Sequence, residues 1–113
     1  MPLEPVIIIG AGPAGLATAL QLKRYGITAR LLERDAIGGL LRNANLVENY
    51  PGFPKGISGL ALVRLFEKQA SVAAVDVTHE AVTELAYESD CFQVKTAAHS
   101  YHSPIVVIAS VLT

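Results

Sequence analysis

The chain has 113 residues, 51% of them hydrophobic and 17% charged, with nine basic and ten acidic side chains and a net charge of −1. That length allows one domain with a modest core. The composition excludes a disordered chain, and the lack of any basic block argues against nucleic acid as a partner. The single cysteine, Cys91, excludes an intrachain disulfide or a C-x-x-C dithiol within this sequence, and it fits a cytoplasmic setting.

Residues 5–22 carry no charge. Gly10, Gly12, Pro13 and Gly15 interrupt the run, and the segment ending in Glu4 lacks the positive charge of a signal peptide. Neither a membrane span nor a secretion signal is expected. Residues 6–9 are a β-branched run, as in a parallel strand buried on both faces. A helix is expected over 13–25. Pro13 is tolerated in its first turn, Lys23 and Arg24 suit its negative end, and Gly26 stops it. Residues 28–33 read as a second strand, completing the start of a β-α-β unit.

Residues 34–57 are rich in turn formers and predict a long irregular loop of the kind that carries function. Ser58 can cap a helix running to about 70, with an apolar face of Leu60, Leu62, Val63, Leu65 and Phe66. Beyond it, 75–77, 81–87, 92–95 and 100–102 read as short turn-bounded strands: a third parallel strand, then an antiparallel meander. Residues 105–111 are again an apolar run of the buried type.

The stretch from Val6 to Gly15 contains G-x-G-x-x-G between a strand and a helix. Each glycine has a mechanical job there. Gly10 permits the tight turn, Gly12 lets the backbone approach a pyrophosphate, and Gly15 allows helix and strand to touch. Pro13 and Ala14 open the helix, whose free N–H groups and positive dipole end suit an anion. Glu33 ends the second strand 18 residues after Gly15, where an acid can accept hydrogen bonds from ribose hydroxyls and repel a 2′-phosphate. The turn therefore favours FAD or NAD over NADP, an exclusion that Arg34 next door weakens slightly.

The order of these glycines, Ala19, Gly26 and the closing Glu33 resembles the FAD-binding domain of two-dinucleotide-domain flavoproteins. Gly38-Gly39-Leu40-Leu41, the run from Val47 to Phe53 and Ile57-Ser58-Gly59 are similar to the thioredoxin reductase family and its ferredoxin–NADP reductase-like relatives. The resemblance implies a Rossmann-like FAD/NAD(P)-binding three-layer α/β domain with a small antiparallel meander, in incomplete form. It implies that Gly38, Gly39 and Leu41 lie along the FAD ribityl chain and pyrophosphate. Asn49 would approach the isoalloxazine and Val82 would pass the adenine, while Ala109 joins the cofactor-binding set from the last strand. FAD is the implied cofactor, ahead of NAD, and NAD(P)H is a co-substrate only if a second domain is supplied.

Leu40 stands where these reductases usually carry glutamine, and Ser110 and Val111 replace the threonine and glycine that close the family's last strand of this segment. Residues 1–113 are thus expected to be the N-terminal FAD-binding segment, without the NADPH-binding domain or the C-terminal segment that helps hold FAD. The expected activity is that of part of a flavin-dependent NAD(P)H oxidoreductase, not competent by itself. The alternative is a non-catalytic nucleotide-binding or assembly module, or a split half that dimerises or is complemented through residues 105–112. Cys91 reads as inert, and His79, His99 and His102 read as surface residues without metal-ligand partners. No protein general acid or base stands out.

Overall fold

A computed structural model describes residues 3–110. Its centre is a four-stranded parallel sheet in the order β3-β2-β1-β7. These strands are β1 (Ile7–Ile9), β2 (Arg30–Leu32), β3 (Val77–Thr78) and β7 (Val106–Ile108). Ile8 pairs with Leu31 on one side and Val107 on the other. The central strand is therefore the β-branched run of the glycine motif, and Ile7 and Ile8 are both fully buried because successive side chains enter opposite faces.

One face carries helices α1 (Pro13–Arg24) and α2 (Gly59–Val72). Ile8, Leu31, Leu16, Ala19 and Ala70 form its core. The other face carries the antiparallel sheet β4 (Val82–Glu88), β5 (Cys91–Thr96) and β6 (Ser100–Ser103). There Ile7, Leu32 and Val94 pack together, flanked by Ile9, Val82, Tyr101 and Val106. The result is the expected three-layer α/β arrangement with a meander as its third layer.

The helix ends follow from local chemistry. Ser58 Oγ accepts the Ala61 N–H at 3.2 Å and caps α2. Gly26, at φ +80°, closes α1: its N–H bonds the Lys23 carbonyl and the Ile27 N–H bonds that of Leu22.

Several boundaries and faces differ from the sequence reading. The first two strands are shorter than 6–9 and 28–33, and α2 runs on to Val72. Leu60 and Leu65, assigned to the apolar face of α2, are exposed, whereas Leu62, Val63 and Ala70 are buried. A 3.6-residue period cannot bring all five named positions to one face. The loop at 34–57 has structure of its own. It holds a 3-10 helix (Gly39–Asn43) and an antiparallel bridge between Val47 and Ile57. Within the expected run 105–111, the described residues 105–110 are not buried on both sides. β7 is an edge strand, Ile108 is 64% exposed and Ile105 is also exposed. Val111 and Leu112 lie outside the described residues.

Candidate functional site

The glycine turn leaves the C-terminal end of β1. Gly10 makes the last ladder bond, its N–H to the Leu32 carbonyl at 2.8 Å. It then turns at φ +107°, with Ala109 backbone atoms 2.8 Å from where a Cβ would stand. A Cβ on Gly15 would collide with the Gly10 carbonyl oxygen. These two glycines are fixed by the chain's own packing. Gly12 is different. Its φ of −77° suits any residue, and a Cβ there would meet only the Gly38 carbonyl oxygen, at 4.0 Å. Beside it, the N–H groups of Gly12, Ala14 and Gly15 have no acceptor among the described residues, and Pro13 has no N–H to satisfy.

Two further segments converge on the turn. The Gly38 N–H donates to the Ala11 carbonyl at 2.9 Å, which joins the second glycine pair to the first. Gly38 sits at φ +99° over Val63, and Gly39, at φ +56°, has open space where a Cβ would project. Leu41 closes the short helix by accepting the Ala44 N–H. Leu40 is 67% exposed. From the other side Glu33 reaches in: its Oε1 accepts the Ala11 N–H at 2.8 Å and its Oε2 accepts the Asp35 N–H at 2.9 Å. Arg34 points out to solvent, its Nε paired with Asp35 at 3.2 Å.

The remaining expected residues lie further out. Asn49 is exposed in the loop beside Tyr50, whose ring packs on Phe66. Tyr50 and Pro13 both line a groove of about 280 Å³ between α1 and α2, so this loop approaches the start of α1 from its flank. That groove opens beside the helix and not over the glycine turn. Val82 faces the interlayer core and pairs with Thr96 across the meander, away from the glycine turn's own contacts. Ala109 donates its N–H to the Ile9 carbonyl and packs against Gly10.

Two features escaped the sequence reading. Ala11 is the node at which the turn, Glu33 and Gly38 meet. No side-chain chemistry marks it, because its role is played by its backbone. Glu80, between β3 and β4, is a hub: it accepts hydrogen bonds from Thr96 Oγ at 2.6 Å, Tyr101 OH at 2.8 Å and His99 Nδ1 at 3.0 Å. His79 also has a partner, the Asp35 carbonyl, at 3.1 Å. Among the described residues no cluster of three or more His, Cys, Asp or Glu could hold a metal ion, and no helix is long and apolar enough to cross a membrane.

A parallel sheet with helices on one face, a glycine turn at the end of its central strand and an acid at the end of the next strand define a Rossmann-like dinucleotide domain. Residues 4–110 match the pyridine nucleotide-disulphide oxidoreductase family. The chain belongs to that family, on its thioredoxin reductase side. It is 32% identical over 105 residues to the thioredoxin reductase of Treponema pallidum, covering 93% of this chain and 34% of that protein. It is 35% identical over 107 residues to the thioredoxin reductase of Borreliella burgdorferi, covering 95% and 33%. Among solved structures, it superimposes on Lactococcus lactis thioredoxin reductase with a TM-score of 0.86 at 30% identity, covering 93% of this chain and 34% of that one. For a ferredoxin-flavin thioredoxin reductase from Clostridium acetobutylicum the TM-score is 0.91 at 26% identity, covering 100% and 39%. The chain thus spans about a third of the length of the relatives it matches.

Proposed function

We propose that residues 1–113 supply the FAD-binding portion of a flavin-dependent NAD(P)H oxidoreductase resembling thioredoxin reductase, with the nicotinamide-binding half supplied by further chain or by a partner. Gly12 carries the reading. Nothing inside the protein requires a glycine there, whereas a phosphate group brought against the backbone does.

The residues present fit the cofactor. Gly12, Ala14 and Gly15 offer unpaired N–H groups at the positive end of α1 to a pyrophosphate. Glu33 retains acceptor capacity for ribose hydroxyls, since a carboxylate offers about four lone pairs and the backbone takes two. Gly39 leaves an open flank for the ribityl side, whereas the exposed Leu40 offers no polar contact there, a departure from the glutamine usual in the family it resembles. Asn49 is free to reach a flavin oxygen from the loop. Bound FAD would supply the two-electron chemistry, while the chain binds and orients it.

Calorimetry with FAD, ADP and 2′-phospho-ADP-ribose tests this. FAD and ADP are expected to bind and the 2′-phosphate compound to bind at least tenfold more weakly. Gly12→Ala is expected to keep the wild-type melting temperature and lose FAD affinity by tenfold or more. Wild-type FAD affinity in that folded variant would sink the assignment.

A second reading, an assembly module completed by another strand, is favoured by one observation. Ile105 and Ala109 spend their backbone bonds on β1, so Val106 and Ile108 turn theirs to the outer edge of β7, where no described strand pairs.

A further inference from the structure

Glu33 is 9% exposed, and both its oxygens are already engaged by backbone N–H groups. The bond to Ala11 matters most. Gly10 is the last residue with a ladder partner, and its positive φ swings the chain out of the sheet. Ala11 is fully buried one residue later. Its N–H can no longer reach a neighbouring strand, and without the Glu33 carboxylate it would be a buried donor with no acceptor. Its carbonyl is held from the opposite side by the Gly38 N–H. Both polar groups of Ala11 are thereby fixed by segments outside the turn, and with them the orientation of the peptide leading into Gly12.

We propose that Glu33 is a positioning residue for the phosphate half of the site as well as an acceptor for the ribose. It braces the glycine turn before any ligand arrives, so the N–H groups that follow Ala11 are aimed by a carboxylate from β2. The proposal rests on reading the turn as a nucleotide site, but it makes a separate demand. Loss of Glu33 must weaken binding of a nucleotide that has no ribose hydroxyls for it to hold.

The test uses the 113-residue chain with Glu33→Ala and Glu33→Gln variants, at a temperature where each is folded by circular dichroism. Calorimetry compares ADP with 2′,3′-dideoxy-ADP, and NMR hydrogen exchange follows the Ala11 amide. Glu33→Ala is expected to weaken dideoxy-ADP binding by tenfold or more and to release the Ala11 amide from protection while Ile8 and Leu31 stay protected. Glu33→Gln keeps one acceptor oxygen for Ala11 and is expected to hold dideoxy-ADP within about threefold of wild type. Should Glu33→Ala fail to fold, Glu33→Asp replaces it, its carboxylate one methylene short of Ala11.

Equal dideoxy-ADP affinity in wild type and Glu33→Ala, or unchanged protection at Ala11, overturns the brace and leaves the FAD reading standing. If the wild type binds neither nucleotide, the FAD reading falls. Exchange at Ala11 then decides the brace alone.

Discussion

Of the three glycines in the motif, Gly10 and Gly15 are held by close backbone packing and Gly12 is not, and single substitutions separate the two cases. A methyl group on Gly15 meets the Gly10 carbonyl oxygen, a backbone atom that cannot yield without moving β1 or α1. Gly15→Ala is expected to cost about 3 kcal/mol or more, read as a fall in urea midpoint. At Gly12 the same methyl group meets open space, and stability should stay within about 0.5 kcal/mol. That Gly10 and Gly15 answer to the fold was legible in the spacing of the motif because each of those tasks is local. The Glu33–Ala11 bond was not. The sequence marks Glu33 as an acid at the right distance for a ribose, but its partner is a backbone N–H of alanine 22 positions away. Backbone donors leave no trace in side-chain identity.

At the scale of elements, the two helices end in the same hydrogen-bonding motif with different residues. α1 uses Gly26 at φ +80°, whereas α2 uses Ala74 at φ +58°. In α2 the Ala74 N–H bonds the Ser71 carbonyl and the Val75 N–H bonds that of Ala70, repeating the pattern of Gly26 and Ile27. A left-handed alanine costs about 1 kcal/mol relative to glycine. Ala74→Gly should therefore raise the melting temperature by roughly 3–6 °C in a scanning calorimeter.

The meander is tied to the parallel sheet by Glu80. The Thr96 hydroxyl foremost, with His99 and Tyr101, stabilises the Glu80 carboxylate against the opposing pull of burial and holds its pKa down to about 2. A carboxyl that is more acidic when folded than when unfolded stabilises the fold above its ordinary pKa of about 4.5. That contribution is lost as pH falls through 2. Urea midpoints measured from pH 6 to pH 2 should fall through this window, and Glu80→Gln should flatten part of the slope. An unchanged slope would show that the hub does not link protonation to folding. The hub itself was illegible beforehand, because its partners come from a different hairpin and no short-range pattern joins them.

As a whole, the molecule is thin. It extends 49 × 32 × 20 Å and has a radius of gyration of 14.7 Å, against about 13 Å for a compact chain of this length. Its accessible surface of 7181 Å² exceeds the roughly 6,000 Å² typical of a monomer of its mass. Ile105, Ile108, Leu65 and Val72 are among the apolar side chains left on that surface. If the outer edge of β7 drives self-association, Ile108→Lys should shift the sedimentation distribution toward monomer with little change in melting temperature. An unaltered distribution would exclude that edge.

The three-layer arrangement, with parallel strands first and an antiparallel meander after them, was readable in the glycine motif and the turn-bounded short strands; the strand order was not. The edge position of β7 was not. Val-Val-Ile reads the same whether a further strand covers it or water does.

The pairing of β1 also bears on how the chain is made. Ile7 meets Arg30 in β2 early in synthesis, but its other neighbour, Val106 in β7, follows on the order of a hundred residues later. At about 5–20 residues per second the ribosome needs several seconds to deliver it. Throughout that interval one side of β1, a run of three isoleucines, has no partner, which leaves the nascent chain open to mispairing there.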